Sequence, residues 1–249
     1  MRPAEPKQGP AVALLTGAGG AIGRATAIHL AKDGWRLGLL GRTASKLDAT
    51  VDALGENNPG AITHPCDLAD PESVVASVDE LIDRFGRLDA VINIAGISPQ
   101  VPIADLDASL IQSVLAQNLS GHLLLVATAW PMLAACSGCV VNVSSMASID
   151  PYRGFTAYAA SKSGLDSLTR SIMSEADDTG IRAFTLNPGA VETPLLRGLF
   201  DESMIAREAT LHPNEVAEEI LACLKGERDH RIGEPFPMVN PSEQAQRPD

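Results

Sequence analysis

Apolar runs of strand length alternate with longer amphipathic stretches along most of this chain. The runs are Ala11–Thr16, Arg36–Leu40, Ala61–Pro65, Ala90–Ile94, Cys139–Ser144 and Arg182–Asn187. Several are apolar at consecutive positions, as strands covered on both faces require. Between them lie the helical patterns Ala21–Lys32, Thr43–Leu54, Pro71–Phe85, Leu106–Leu133, Ala157–Asp177 and Pro213–Leu224. This alternation predicts an α/β fold, a doubly wound parallel sheet of about seven strands with helices on both faces.

The composition agrees with one folded domain. The chain has 249 residues, of which 45% are hydrophobic and 20% charged, and this balance excludes wholesale disorder. We expect a single domain over residues 11–240, with flexible tails at 1–10 and 241–249. The net charge of −12 disfavours a nucleic-acid partner, because phosphate contacts need a positive surface.

The stretch from Ala108 to Ile149 contains no Asp, Glu, Lys or Arg. A membrane span needs about 18 apolar residues in succession, and the longest run, Leu123 to Cys136, is interrupted by Thr128 and Pro131. We interpret the stretch as a buried helix at a subunit interface, followed by a central strand. No signal peptide is visible, so we predict no membrane contact and a cytoplasmic location.

A glycine-rich turn lies between the first predicted strand and the first predicted helix. It reads Thr16-Gly17-Ala18-Gly19-Gly20-Ala21-Ile22-Gly23. Small residues let the backbone approach a pyrophosphate, and the N-terminus of the helix supplies N–H groups and the positive end of its dipole. In this position the turn indicates a dinucleotide site.

The end of the second strand bears on which dinucleotide binds. NAD binders place a carboxylate there for the ribose 2′-hydroxyl, but this segment reads Leu39-Leu40-Gly41-Arg42-Thr43-Ala44-Ser45-Lys46. A carboxylate would repel a 2′-phosphate, whereas Arg42 can bind one with two N–H groups. We therefore predict NADP(H) in preference to NAD(H). The alternative is that Arg42 is a solvated loop residue.

Tyr158 and Lys162 are four residues apart in a predicted helix, so they share one face. The pKa of tyrosine is normally about 10, and a neighbouring cation lowers it. Bringing this pKa near 7 requires on the order of 4 kcal/mol, which an ammonium and a cationic nicotinamide could supply. The pair therefore indicates proton transfer; an exposed Tyr and Lys on a helix surface is the alternative.

Taken in order, the motifs resemble those of the short-chain dehydrogenase/reductase family, in its single-domain branch of about this length. The matching residues, within roughly 11–225, are Thr16-Gly17, Ala21-Ile22-Gly23, Asn93-Ile94-Ala95-Gly96, Asn118, Ser145, Tyr158, Lys162, Asn187-Pro188-Gly189 and Thr193. The resemblance implies a Rossmann fold and hydride transfer at a carbonyl or alcohol carbon.

The resemblance also implies four catalytic residues. Ser145 would hydrogen-bond the substrate oxygen, and Tyr158 would be the general acid in reduction and the base in oxidation. Lys162 would lower the pKa of that phenol and bind the nicotinamide ribose. Asn118 would hold a relay water behind Lys162.

The implied cofactor site extends along one edge of the sheet. Asp67 would accept a hydrogen bond from the adenine amino group, and Thr193 would hold the nicotinamide carboxamide. The full set is Gly17, Gly19, Gly20, Ala21, Ile22, Gly23, Arg42, Thr43, Asp67, Leu68, Asn93, Ala95, Gly96, Tyr158, Lys162, Pro188, Gly189, Val191 and Thr193. Asn118 and Thr193 also have structural interpretations, as an interface residue and a helix cap, and Asp67 as a turn residue.

Three positions depart from the family pattern. Ala21 stands for the second cofactor glycine, and Asn93-Ile94 replaces Asn-Asn. The C-terminus lacks the family's glycine-containing last strand and has Pro235-Phe236-Pro237-Met238-Val239 instead. This difference leaves the last strand, and the tetramer contact built on it, open.

The resemblance predicts an NADP(H)-dependent carbonyl reductase that interconverts a ketone or 3-oxo group with a secondary alcohol. Apolar loops at 97–105, 147–156 and 192–204 suit an apolar or mixed small-molecule substrate. A 3-oxoacyl group on a carrier protein is one option, since Arg153, Arg197 or Arg207 could meet an acidic carrier. The alternatives are an NAD-dependent alcohol dehydrogenase of this family and a cofactor-binding regulator without turnover.

Other groups contribute less to the prediction. Cys136 and Cys139 form a CxxC pair that precedes a strand, so either a redox pair or two structural cysteines is possible. No metal site is predicted, because the histidines show no zinc spacing. The resemblance implies a homodimer or homotetramer, in which the uncharged helix and the helix near Tyr158 pair across a two-fold axis.

Overall fold

The computed structural model describes residues 5–56 and 58–240 of the chain. Seven parallel strands form one sheet in the order β3-β2-β1-β4-β5-β6-β7. The strands are β1 (Val12–Leu15), β2 (Arg36–Gly41), β3 (Ala61–Pro65), β4 (Ala90–Asn93), β5 (Cys139–Val143), β6 (Arg182–Pro188) and β7 (Pro235–Met238). The predicted doubly wound parallel sheet is therefore confirmed.

Helices cover both faces of this sheet. They are α1 (Ala21–Lys32), α2 (Ala44–Ala53), α3 (Pro71–Phe85), α4 (Ala108–Leu115), α5 (Gly121–Cys136), α6 (Thr156–Glu175), α7 (Pro194–Arg197) and α8 (Pro213–Leu224). In α3, local residues explain where the helix begins and ends. The Asp70 carboxylate accepts from the Glu72 N–H, Pro71 occupies the first helical position, and Gly86 ends the helix at φ 68°.

Alternate residues of each central strand enter opposite cores. In β1, Val12 and Leu14 pack with α3, α5 and α6, whereas Ala13 and Leu15 pack with α1, α2 and α8. All four side chains are fully buried. Consecutive apolar residues are therefore needed in β1, because both of its faces are covered.

The single helix predicted over Leu106–Leu133 is interrupted. A π-helical turn, Ala116–Ser120, separates α4 from α5 and buries both Gln117 and Asn118. A π turn inserts one extra residue per turn, so it rotates the following side chains relative to an α-helix. The apolar pattern of this segment did not reveal the turn, because the residues on both sides of it remain helical.

Within the described residues, one continuous helical segment, Ala108–Cys136, is long and apolar enough to cross a membrane by length and composition alone. Its inner side is part of the core, where Leu125, Ala129 and Leu133 are fully buried. The same segment packs against α3. One side of the segment therefore belongs to the core of the domain.

The last strand forms despite the unusual C-terminal sequence. β7 pairs in parallel with β6 from Thr185 with Pro235 to Pro188 with Met238. The Phe236 N–H donates to the Asn187 side-chain oxygen (2.9 Å), and the Gly189 N–H donates to the Met238 carbonyl (2.8 Å). Prolines are tolerated because β7 lies at the edge of the sheet and needs fewer N–H donors.

The N-terminal segment is anchored from Lys7 onward, although we expected a flexible tail over residues 1–10. The Lys7 N–H donates to the Gly86 carbonyl, and the Arg87 guanidinium donates to the carbonyls of Lys7 and Gly9. Arg87 is itself held by a salt bridge to Asp89. Residues 1–4, and the predicted tail at 241–249, lie outside the described residues.

The CxxC cysteines fit the structural interpretation. Cys139 is buried at the start of β5, and Cys136 ends α5 rather than beginning a helix. Burial raises the pKa of both thiols. A thiol of raised pKa is a poor nucleophile, so these positions lack the environment of a redox CxxC pair.

Candidate active site

The glycine turn lies where the sheet order reverses, between β1 and β4, at the carboxyl ends of the strands. Gly17 adopts φ 67°, and a Cβ added there would lie 3.0 Å from the Ala95 backbone. A side chain at this position would therefore be strained and would collide with the segment after β4. The turn leads directly into α1, whose first turn carries no acidic residue. These features suit a bound pyrophosphate.

Thr16 joins this turn to the segment after β4. Its fully buried hydroxyl accepts hydrogen bonds from the N–H groups of Ile94 (2.9 Å) and Ala95 (3.1 Å). Asn93 is also buried, and its side-chain amide donates to the Asn142 side chain of β5 (2.8 Å). Asn93 therefore braces the sheet, and the residues that can face a ligand are Ala95 and Gly96.

Ser145, Tyr158 and Lys162 meet at the carboxyl end of β5. Ser145 follows β5 and hydrogen-bonds the Tyr158 side chain, which projects from the first turn of α6. The Lys162 ammonium lies 5.7 Å from the centre of the Tyr158 ring and donates to the Val143 carbonyl (2.8 Å). By contrast, the Ser144 hydroxyl donates to the backbone carbonyl of Lys162 (3.1 Å) and is buried. Ser144 is therefore bonded to the backbone of α6, whereas Ser145 is the serine that contacts the Tyr158 side chain.

The electrostatics of this group differ from the sequence prediction in one respect. Burial raises the pKa of Tyr158, and the hydrogen bond from Ser145 lowers it less. Burial also lowers the pKa of Lys162 to about 8. The expected lowering of the Tyr158 pKa by Lys162 is not seen in the protein alone, where burial has the larger effect on the phenol.

Asp166 extends the Tyr158–Lys162 face of α6 by one further turn. It is 7% exposed, and its negative charge raises the pKa of Lys162 against the effect of burial. Both carboxylate oxygens accept from the Asn187 side-chain amide at 3.2 Å. Asp166 was not predicted from the sequence, although the i, i+4, i+8 spacing from Tyr158 could have revealed it.

Asn118 connects the π turn to the catalytic helix. Its side chain exchanges two hydrogen bonds with the backbone of Ile97, both 2.8 Å long, and donates to the Ser161 hydroxyl (3.1 Å). Gly96 lies beside it: a Cβ there would be 3.2 Å from Asn118 Oδ1 and 3.7 Å from Lys162 Nζ. The missing side chain keeps space open between these two polar groups.

His122 is fully buried between Thr16 and Asn118. Its Nδ1 lies 3.1 Å from the Asn118 carbonyl and its Nε2 lies 3.2 Å from the Thr16 hydroxyl. Burial and the nearby charge of Lys162 lower the pKa of His122 to about 3, so the ring is neutral. Because a carbonyl can only accept, Nδ1 carries the proton and Nε2 accepts from Thr16. This role of His122 was not predicted from the sequence.

Asp67 and Leu68 follow β3, at the opposite end of the predicted cofactor site. Asp67 is exposed, and its Oδ1 accepts from the Ala69 N–H (2.9 Å) and from the side-chain amide of Gln117. The Leu68 side chain is 6% exposed and belongs to the core, so only its backbone is available to a ligand. The contact from Gln117 was not predicted.

The segment after β2 is open to solvent. Gly41 is half-buried at the strand end, and Arg42 and Thr43 are exposed. Gly19 of the glycine turn lies close to Lys46, since a Cβ on Gly19 would be 2.8 Å from the Lys46 Cβ. Lys46 therefore stands beside the glycine turn, and Arg42 lies exposed at the end of β2.

The residues after β6 are held by their own backbone contacts. Gly189 bonds to Met238, and Val191 pairs with Leu211 in an isolated parallel bridge. The Thr193 hydroxyl accepts from the Leu196 N–H (3.1 Å) and so caps α7. This is the helix-cap interpretation considered from the sequence; the Thr193 hydrogen can still be donated to a ligand.

Aromatic side chains form one wall beside Tyr158. The Phe155 and Tyr158 rings meet edge to face at 6.0 Å, and the Phe200 ring stacks on Phe155 at 6.1 Å. Leu195 and Met204 are more than half exposed on the same loop as Phe200. Apart from Tyr158, these side chains lie on two of the loops that we expect to contact substrate, 147–156 and 192–204.

An ion-pair group holds the loop that carries Phe200. Glu192 bonds Arg197 (2.5 Å) and also reaches Arg207 (3.8 Å), which pairs with Glu202 (2.8 Å). The Arg197 side chain lowers the pKa of Glu192. Arg197 and Arg207 are therefore engaged within the loop, which weakens the expectation that they bind an acidic carrier.

Known proteins are similar to this chain over most of its length. The family model described as short chain dehydrogenase matches residues 11–203. Levodione reductase of Leifsonia aquatica is 35% identical over 214 residues, 84% of this chain and 78% of that protein. Cis-4-hydroxycyclohexanecarboxylate dehydrogenase of Sinomonas cyclohexanicum is 36% identical over 217 residues, 84% of this chain and 87% of that protein. The crystal structure of levodione reductase has a TM-score of 0.87 at 29% identity, over 94% of this chain and 98% of that one.

Proposed function

Because this chain belongs to the short-chain dehydrogenase family, we propose that it is an NADP(H)-dependent oxidoreductase that interconverts a ketone and a secondary alcohol. It is an oxidoreductase of that family, whose fold binds a nicotinamide cofactor. The observation that carries the finer proposal is the hydrogen bond between Ser145 and Tyr158 with Lys162 beside them. All three lie on the same sheet edge as the glycine turn.

The residues present fit a dinucleotide. At Gly17 and Gly96 an added Cβ would come within 3.0 to 3.2 Å of its neighbours, so both glycines keep the backbone open to a ligand. The N-terminus of α1 would hold the pyrophosphate, and Lys162 would bind the nicotinamide ribose. Pro188, Gly189, Val191 and Thr193 would surround the nicotinamide.

A bound dihydronicotinamide supplies a hydride, an electron pair with its hydrogen, to the carbonyl carbon. Ser145 donates a hydrogen bond to the carbonyl oxygen and stabilises the charge that develops there. Tyr158 donates its phenolic proton to that oxygen, giving the alcohol, and takes a proton back in oxidation. Lys162 stabilises the resulting phenolate, because its ammonium lies 5.7 Å from the centre of the Tyr158 ring.

Asn118 would keep open the route by which Tyr158 regains its proton. Its side chain is fixed to Ile97 and Ser161, so its own position does not depend on substrate. The Gly96 backbone beside it leaves room for a water between Asn118 and Lys162. We assign Asn118 to the proton relay on this ground.

Turnover with a Tyr158→Phe variant tests the proposal directly. The wild-type protein is mixed with NADPH or NADH and a panel of cyclic and open-chain ketones, and dinucleotide oxidation is followed by absorbance. Tyr158→Phe should bind NADPH as the wild type does and lose at least ~100-fold in kcat, the lower range for general acid–base catalysis. Wild-type rates in the variant would show that Tyr158 is not the acid.

The preference for NADP(H) rests on the segment after β2. It lacks a carboxylate at the strand end and presents Arg42 to solvent. Arg42→Leu should weaken NADPH binding about tenfold or more, the scale of one charge-assisted hydrogen bond of about 1.5–3 kcal/mol, and should leave NADH binding unchanged. Equal loss for both dinucleotides would favour an NAD-dependent enzyme.

Two other candidate functions make different predictions. A cofactor-binding regulator would bind NADPH but show no turnover on any ketone in the panel. A 3-oxoacyl carrier-protein reductase would prefer acyl chains on a carrier, yet Arg197 and Arg207 already bind Glu192 and Glu202. We therefore favour a free small-molecule substrate.

We also propose a homodimer or homotetramer in the cytoplasm, with no membrane or nucleic-acid partner. A groove of about 350 Å³ runs between α5 and α6. Its α5 side is apolar, and its α6 side carries Ser171 and Glu175 beside Leu168 and Ile172. The apolar α5 side belongs to the uncharged segment and suits pairing with a second copy. Sedimentation should give a multiple of 26.1 kDa, and Leu123→Glu should shift it toward the monomer.

A further inference from the structure

Gln117 links two parts of the chain that lie at different ends of the proposed cofactor site. It sits in the π turn directly before Asn118, and its side chain is 9% exposed. Its amide nitrogen donates to the Asp67 carboxylate, which lies in the loop after β3. Nothing in the mechanism proposed above uses this contact.

The contact fixes the direction of an exposed carboxylate. Asp67 Oδ1 accepts from both the Ala69 N–H (2.9 Å) and Gln117, and both donors recorded for this carboxylate within the described residues go to that one oxygen. Oδ2 is therefore the oxygen left to accept a hydrogen bond from a ligand. An acceptor aimed by two donors is better placed than a freely rotating carboxylate, because less rotational entropy is lost on binding.

The chemistry of the donor also matters. The amide of Gln117 is neutral, so it orients Asp67 without cancelling its charge, as a lysine or arginine would do. A charged acceptor makes a stronger hydrogen bond to an amino group than a neutral one does. The same charge repels a carbonyl oxygen, so Asp67 can distinguish a 6-amino purine from a 6-oxo purine.

We propose that Gln117 is a positioning residue that orients Asp67 for recognition of the adenine amino group of the dinucleotide. The inference rests on the proposed function, because it requires a dinucleotide in this site. The π turn then has two roles, since Asn118 faces the catalytic residues and Gln117, its neighbour in sequence, faces the adenine end.

The test compares two dinucleotides that differ only at the purine. Binding of NADPH and of its hypoxanthine analogue, in which a 6-oxo group replaces the 6-amino group, is measured by cofactor fluorescence. The wild type should prefer NADPH about tenfold, the lower range for one hydrogen bond to a charged group. Gln117→Met keeps the side-chain length but removes the donor, and should reduce this preference to about threefold or less.

Four further variants complete the comparison. Gln117→Glu, which keeps the shape and adds repulsion toward Asp67, should lose the preference as well, and it serves if Gln117→Met does not fold. Asp67→Ala should abolish the preference, and adding Gln117→Met to it should change nothing further. Thr128→Val, on α5 and remote from Asp67, should behave as the wild type.

The possible failures are distinguishable. If the wild type binds neither dinucleotide, the proposed function is wrong. If it binds both equally, Asp67 does not read the amino group and the inference is overturned. If the wild type prefers NADPH but Gln117→Met and Gln117→Glu keep the full preference, Asp67 acts without Gln117, which also overturns it.

Discussion

His122 Nε2 lies 3.2 Å from the Thr16 hydroxyl, so a buried neutral histidine at the start of α5 joins the glycine turn to the π turn that carries Asn118. The two residues are 106 positions apart in the sequence. Thr16 thus contacts His122, Ile94 and Ala95 through its hydroxyl, since it also accepts hydrogen bonds from the N–H groups of the latter two. The glycine turn and the π turn that carries Asn118 are thereby held in a fixed relation to one another.

The buried His122 predicts a component of acid instability. Its pKa is about 3 in the folded protein, against an ordinary value of 6.5, so below pH 6.5 the unfolded chain binds the extra proton. Stability from this group is complete above pH 6.5 and falls by up to about 1.4 kcal/mol per pH unit down to pH 3. Chemical denaturation should show a steeper loss between pH 6.5 and 4.5 for the wild type than for His122→Gln.

The matched control is His29→Gln, a half-buried histidine on α1. This variant should keep the wild-type slope over the same pH range. An unchanged slope in His122→Gln would mean that His122 is already protonated in the folded protein.

Asp166 should set the upper pH limit of activity through Lys162. Its charge raises the pKa of Lys162, which burial has lowered to about 8. Removing the charge in Asp166→Asn therefore lowers that pKa, and the loss of kcat/KM at alkaline pH should begin at lower pH than in the wild type. The measurement is a pH profile of kcat/KM from pH 6 to 10.

Asp178→Asn, an exposed carboxylate shortly after α6, is the comparison for this profile. It should leave the alkaline limb where it is. A profile in Asp166→Asn that coincides with the wild type would show that the alkaline limb does not report on Lys162.

Gly96 should be required for turnover more than for folding. A Cβ there would lie 3.2 Å from Asn118 Oδ1 and 3.7 Å from Lys162 Nζ, distances that small shifts can relieve. Gly96→Ala should therefore unfold within a few degrees of the wild type, and its kcat should fall at least tenfold. Thermal unfolding and steady-state kinetics measure the two effects separately.

For Gly38→Ala we expect the opposite result, a loss of stability rather than a specific loss of turnover. In the middle of β2 an added Cβ would lie 2.8 Å from Leu14 Cδ1 and still closer to Leu81 Cδ1, inside the core. Overpacking of this kind costs about 1–3 kcal/mol. Comparable loss of stability in both variants would argue against a special role for Gly96.

The Glu192 ion pairs should restrain the substrate loop. In Glu192→Ala, Arg197 loses its carboxylate partner while its contacts to the carbonyls of Ile205 and Phe200 remain. We expect faster amide hydrogen exchange over residues 193–210 and a higher KM for substrate, with little change in cofactor binding. Glu218→Ala, an exposed site on α8, should show neither effect.

Local patterns were sufficient for the framework of the sheet. The predicted strand Arg36–Leu40 is observed as Arg36–Gly41, and α3 begins and ends where the Asp70 cap and Phe85 indicated. These elements depend on apolar runs, caps and turns within a few residues of each other. The predicted Rossmann fold, a doubly wound parallel sheet of about seven strands, is confirmed, and the structure adds the order of the strands.

The last strand shows how tertiary context replaces a missing signal. Pro235 and Pro237 argue against a strand by themselves, but β6 supplies an edge on which their carbonyls can pair. The Asn187 side chain then accepts the Phe236 N–H. No pattern within residues 235–239 encodes that partner.

By itself, the amino-acid sequence determined the parallel sheet, the glycine turn and the Tyr158–Lys162 pair, because each depends on residues within one element or one turn. Only the tertiary structure decided that Gln117 meets Asp67, 50 positions away, and that His122 meets Thr16. Those contacts depend on a π turn that rotates side chains between two helices, and on where the packed sheet places the loops they reach. The hydrophobic periodicity of the sequence reveals neither the π turn nor the placement of these loops. The residues that connect the two ends of the site can therefore be identified only in the folded chain.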